Sequence, residues 1–107
     1  MTETQADRAA RAARNELLFR AVNERIGELG GAWQTSDLEI VCECESAECF
    51  EWIRVSRDEV ATIEEHDRQH FFVVPGHEAP DVEKVIERHE HYFVVEKPAD
   101  AIELATG

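Results

Sequence analysis

Between Asp7 and Leu29 apolar residues return every three to five positions, at Ala10, Ala13, Leu17, Val22, Ile26 and Leu29, in a stretch dominated by Ala, Arg, Leu and Glu. That period predicts an amphipathic helix, and Gly30-Gly31 is a stop signal directly after it. Glu16 and Arg20 stand one turn apart, which predicts a favourable ion pair on the helix's polar side. The residues before Asp7 are polar, so 1–14 is expected to be the partly flexible start of this helix.

The period changes to two at Asp37. Leu38, Ile40 and Cys42 fall on one side of an extended chain, with Asp37, Glu39 and Glu43 opposed to them, which predicts a strand over Asp37 to Cys44. Ser46-Ala47-Glu48 form a loop, and Phe50 to Val55 resumes extended character with Trp52, Ile53 and Val55. The result is a hairpin with its tip at the cysteines. Ser56 and Glu59 have capping-box spacing, with Val60 and Ile63 as an apolar edge, so a short helix is expected from Arg57 to His66, its polar end running into Asp67-Arg68. His70 to Val74 reads as a strand closed by the Pro75-Gly76 turn, which places His77 on a tight loop. Val82 to His89 fits strand or helix, Tyr92 to Glu96 fits a strand, and a hairpin joins them best. After Pro98, Ala101, Ile102 and Leu104 allow one helical turn. The fold class is therefore α+β, a long N-terminal helix packed on a small antiparallel sheet, with residues 15–107 as one domain.

Length and composition narrow this further. With 107 residues, 43% apolar and 33% charged, the chain has one modest core and enough hydrophobic residues to fold. Its longest apolar runs, such as Phe71 to Val74, fall far short of the ~20 residues a bilayer span needs. With no basic-then-apolar start, a cytoplasmic protein is expected. Net charge is −13. Residues 1–30 carry five arginines and five acids, so the whole excess lies beyond residue 30. Such a surface repels phosphate and anionic lipid, which argues against direct nucleic-acid or membrane binding. The acidity serves solubility or, as the less economical reading, acidic docking.

All three cysteines, Cys42, Cys44 and Cys49, fall within eight positions. A thiolate cluster has few chemical uses, and tetrahedral Zn²⁺ is the commonest. Two cysteines one residue apart at a hairpin tip can chelate without strain, and Cys49 supplies a third ligand. His77, presented by the Pro-Gly turn, is the expected fourth. His66, His70, His89 and His91 compete with it, as do a carboxylate and water. Unligated thiols and a redox element with a Cys42–Cys44 disulfide are the rival readings; the polar setting of Glu43, Glu45, Glu48 and Glu51 speaks against the first. The odd cysteine count, and four carboxylates that would raise thiol pKa values, speak against the second, whereas a dication would welcome that charge.

Asn15 to Ile26, Cys42-Glu43-Cys44 with Cys49, Phe72 to His77 and Val94 to Lys97 together resemble a family of small uncharacterised actinobacterial proteins, over about Asn15 to Lys97. The resemblance implies one metal site on Cys42, Cys44, Cys49 and His77, and no particular activity. The expectation is thus a non-enzymatic, structural Cys3His zinc protein acting through protein–protein interaction, with a regulatory role in bacterial transcription or stress as its furthest extension. The N-terminal helix is the expected docking face, because Leu18, Phe19 and Val22 widen its apolar stripe; a homodimer is the other arrangement it allows. Trp33 and Trp52 are expected in the core or shielding the metal. A thiol-based redox or zinc sensor is the alternative, and a metal-dependent hydrolase using Glu78 as base is a distant third.

Overall fold

The computed structural model describes residues 4–32, 36–46, 48–49, 51–66 and 69–106. Trp33, Phe50 and the Asp67-Arg68 helix end lie outside the described residues.

Thr4 opens the first helix. Its Oγ1 accepts a hydrogen bond from the Asp7 amide (3.0 Å) while the Asp7 carboxylate accepts one from the Thr4 amide (3.4 Å), a reciprocal cap that satisfies two otherwise orphaned donors. From there α1 runs Gln5–Ala32, through the two glycines expected to stop it. At ~1.5 Å per residue it is about 42 Å long, which accounts for most of the molecule's 48 Å long axis.

The inner face of α1 corrects the sequence reading. Ala10, Ala12 and Ala13 are buried, but so are Glu16, Arg20 and Asn23, whereas Val22 and Leu29 of the expected apolar stripe are exposed. Glu16 and Arg20 do not sit on a solvated polar side. Glu16 meets Lys97 (2.9 Å), while Arg20 donates to the His70 carbonyl (2.9 Å), lies over the Phe71 ring and has Glu24 beside its Nε (3.6 Å). Small alanines allow the helix to approach closely, and that closeness requires the neighbouring polar side chains to find partners inside.

β1 (Asp37–Val41) and β2 (Trp52–Ser56) pair antiparallel, Asp37 opposite Ser56 and Val41 opposite Trp52. β1 ends three residues before Cys44, the expected strand end. Leu38, Ile40, Ile53 and Val55 face inward, as the alternation required. Ser56 Oγ accepts the Glu59 amide (3.1 Å) and starts α2 (Arg57–His66), in the place its capping pattern indicated. β3 (His70–Val73), β4 (Lys84–Arg88) and β5 (Phe93–Glu96) form a second antiparallel sheet in the order β3-β5-β4, with an irregularity between Val85 and Glu87. The ambiguous 82–89 segment is therefore a strand. Its partner β5 is central and carries the buried Val94 and Val95. The chain ends in α3 (Ala99–Thr106), which packs Ala101 and Ile102 inward.

One core joins these layers: Leu38, Ile40, Ile53, Val55, Val60, Phe71, Phe72, Val73, Val94, Val95 and Ile102, with Ala13 from α1. Beside it Lys97 Nζ is fully buried between Glu16 (2.9 Å) and Glu83 (3.2 Å). No helix is long and apolar enough to cross a membrane, among the described residues.

Candidate metal centre

Past Val41 the chain stays extended. The Cys42 amide donates to the Glu51 carbonyl (2.9 Å) and the Glu43 amide to the Phe72 carbonyl (2.7 Å), so this segment leaves β2 and runs beside β3. Strand alternation then sends Cys42 and Cys44 one way and Glu43 the other. Glu43 is fully buried: its carboxylate accepts from the Phe72 amide (2.8 Å) and from Asn23 Nδ2 (2.9 Å). Asn23 also exchanges two hydrogen bonds of 2.8 Å with the backbone of Val41. One turn pair earlier, Asn15 donates to the Glu45 carbonyl (2.8 Å), and Arg8 bridges Glu45 (3.0 Å) and Asp81 (2.5 Å). Three side chains of α1 thus hold the cysteine segment from behind.

His77 arrives from the opposite side. Gly76 has φ 95°, and the His77 amide donates to the Val74 carbonyl (2.8 Å), which makes Val74-Pro75-Gly76-His77 a type II turn. Proline fixes the second position and glycine alone enters the third without strain. Glu78 Oε1 accepts the Gly76 amide (2.7 Å) and braces the turn.

The four ligand-capable atoms, three Sγ and one imidazole nitrogen, all lie within 4.8 Å of one another. His77 Nδ1 is 3.7 Å from Cys42 Sγ and 3.6 Å from Cys49 Sγ. Around one Zn²⁺ with Zn–S ~2.3 Å and Zn–N ~2.05 Å, a tetrahedron has S···N edges of about 3.6 Å and S···S edges of about 3.8 Å. The imidazole edges match. A two-iron cluster shares its ligands between two metals and spreads them further than this group allows. This Cys3His group can hold a metal ion.

Two further contacts complete it. The Val74 amide donates to Cys42 Sγ (3.2 Å), a contact that by itself favours the charged form of that sulfur. Glu51 Oε2 lies 2.7 Å from His77 Nε2, so the proton sits on Nε2 and Nδ1 is left with its lone pair toward the sulfurs. In the sequence Glu51 is only one of several nearby acids; its aim at the far side of the ring depends on Cys42 and Glu51 being hydrogen-bonded neighbours.

The thiols do not behave alike. A hydrogen bond from Cys42, against the opposing effect of burial, pulls Cys44 down to about 5, while the same hydrogen bond together with burial pushes Cys42 up. Burial raises Cys49 as well. One thiolate forms readily and the next two are disfavoured until a cation joins them. The largest effects on the thiols come from burial and from one another rather than from the four expected carboxylates, three of which are directed elsewhere. Glu43 faces away, Glu45 is taken by Arg8 and Glu51 by His77. Cys42 and Cys44 are also buried rather than set in a polar surface, with Cys49 partly accessible.

Among the described residues, His70, His89 and His91 lie outside the Cys3His group. His70 meets Glu96 (3.0 Å), and His89 meets Glu87 (2.8 Å) and stacks on Tyr92. His91 is exposed and lines a groove of about 410 Å³ with Glu51, Trp52, Ile53, Arg54 and Val74. Nothing is described of the His66 side chain. Trp52 is 59% exposed, so it belongs neither to the core nor to a shield over the metal site. Comparisons with protein-family models, curated proteins and solved structures return no match. The geometry of the Cys3His group therefore carries the functional reading, and this chain is one in which three thiols and an imidazole are assembled at metal-ligand spacing.

Proposed function

We propose that Cys42, Cys44, Cys49 and His77 bind one zinc ion in a closed structural site, and that the protein acts by binding another protein rather than by catalysis. The convergence of the four ligand atoms within 4.8 Å carries this reading. Zinc fits three sulfurs and one nitrogen better than harder metals do, and it needs no redox partner. A metal here adds side-chain bonds between the segment after β1 and the turn after β3, so metal binding contributes to folding. The chemistry around the site supports a structural role. Glu78, the base a hydrolase would use, is engaged by the Gly76 amide, and Glu51 orients His77. Free thiols at such spacing suit a reducing compartment, which agrees with a cytoplasmic location.

Metal content of protein purified without added metal, measured by mass spectrometry for wild type, Cys44→Ser and His77→Ala, tests the proposal. About one zinc per chain, lost in both variants together with thermal stability, is expected. Iron instead of zinc would reassign the metal, and no stoichiometric metal in the wild type would refute the site. A second reading, a thiol-based sensor, draws on the partial exposure of Cys49. Peroxide oxidises two thiols to a disulfide with reduction of the peroxide to water, and zinc ejection that a dithiol reverses would favour that reading.

A further inference from the structure

Among the described residues, the outward face of α1 carries three of the exposed large aliphatic side chains. Leu18 is 63% exposed, Val22 44% and Leu29 42%. With Arg25 they follow the spacing 4-3-4, which is the seam of a two-helix contact rather than a scatter of single exposed side chains. The opposite face of the same helix buries Glu16, Arg20 and Asn23. A helix that hides polar side chains and shows aliphatic ones has its apolar burial only half satisfied by its own chain.

Charge identifies the occupant. Exposed on this face are Arg11, Arg14 and Arg25 with Asp7 and Glu28, one net positive charge on a chain whose total is −13. Two copies meeting here hold their acidic bodies on opposite sides of the contact, whereas a contact between those bodies themselves brings like charges together. The sequence is also self-complementary along the helix. Arg14 and Glu28 are each seven residues, two turns, from Ala21. A twofold axis at Ala21 therefore sets Arg14 of one helix against the partner's Glu28, and Glu28 against the partner's Arg14. Glu28 already pairs with Arg25 of its own helix (2.9 Å), so each end becomes a three-charge network. Leu18, Ala21 and Val22 fill the centre. Antiparallel packing also opposes the two helix dipoles.

We infer that α1 pairs antiparallel with α1 of a second copy across Leu18, Ala21 and Val22, closed at both ends by Arg14–Glu28 ion pairs. This deepens the reading of α1 as the docking face and is independent of the metal.

Sedimentation equilibrium of zinc-loaded full-length protein from about 5 to 500 µM tests it. Wild type is expected to dimerise reversibly, and Leu18→Glu with Val22→Glu to stay monomeric with unchanged metal content and melting, since both side chains are exposed. Arg14→Glu alone and Glu28→Arg alone are each expected to weaken dimerisation about tenfold, and the double exchange to restore it, because only an antiparallel register sets these two positions against each other. A monomeric wild type overturns the inference, including the case where α1 captures a different protein. A dimer indifferent to the Leu18 and Val22 changes, or not restored by the exchange, overturns it equally. Failure of the metal-content measurement would show as zinc loss and leaves this result separate.

Discussion

Replacing Glu16 by glutamine should make the protein more stable at alkaline pH, and the size of the gain should grow with pH. Glu16 is fully buried beside Lys97 Nζ (2.9 Å), and Glu83 Oε1 is 3.2 Å from the same nitrogen. Two carboxylates and one ammonium would leave a net charge inside the protein, which is more costly than keeping one proton. Glu83 also accepts the Ala79 amide (2.9 Å), so it is the better site for the negative charge. Glu16, whose oxygens find no hydrogen bond of good geometry, keeps the proton: burial first, and Glu83 second, push it from 4.5 up to about 9. A carboxyl raised on folding holds a proton that the unfolded chain has already released. Stability therefore falls as pH rises from 4.5 towards 9, by about 1.4 kcal/mol per pH unit at most. At about pH 8 the ceiling is near 5 kcal/mol, and water penetration and relaxation reduce it to about 1.5–3 kcal/mol.

Glu16→Gln keeps the shape, carries no charge and can donate to Glu83 as the proton does. Urea unfolding of wild type and variant at about pH 5.5 and pH 8, at fixed salt, zinc and reductant, gives the difference between them at each pH. Taking the difference cancels every other ionisable group, since both proteins share them. The variant should gain relative to wild type by about 1 kcal/mol or more between the two pH values. A difference independent of pH, with the variant less stable by about 3 kcal/mol, would mean that Glu16 is an ionised partner of Lys97, and would refute the reasoning.

Three other outcomes follow from the metal centre and its supports. Glu51→Ala removes the carboxylate that orients His77 (2.7 Å) and should weaken zinc binding about tenfold to a hundredfold in chelator competition, against an unchanged affinity if the contact is incidental. Gly76→Ala meets no neighbouring atom but forces a side chain onto φ 95°; a loss of about 1–2 kcal/mol with weaker zinc binding is expected, and unaltered stability would refute the turn assignment. Asn23→Ala removes the side chain that bonds both backbone groups of Val41 and the Glu43 carboxylate, and urea unfolding should show a loss of about 2–4 kcal/mol; less than about 0.5 kcal/mol would mean water replaces the amide.

Local periodicity determined most of the elements. The capping pair Ser56 and Glu59, the alternation from Leu38 and the Pro75-Gly76 turn each encode backbone geometry within a few residues; α2 and the turn stand where they indicated, and β1 begins there but ends at Val41. Density of cysteine, a rare and chemically committed residue, marked three of the four members of the metal-ligand set in the same way, and a rigid turn singled out His77. What the sequence could not decide was the company of each polar side chain. Glu16 and Arg20 look like a surface pair because their spacing describes the helix alone; burial depends on β3 and the segment around Lys97 packing against it. Glu51 became a partner of His77, and Glu43 a buried anchor to Asn23, only because chain segments 20 to 30 residues apart were brought side by side. Helix and strand preferences act over a turn or two and are written in neighbouring residues. The pairing of charges in a low-dielectric interior acts across the fold, and is decided only when the core has closed around them.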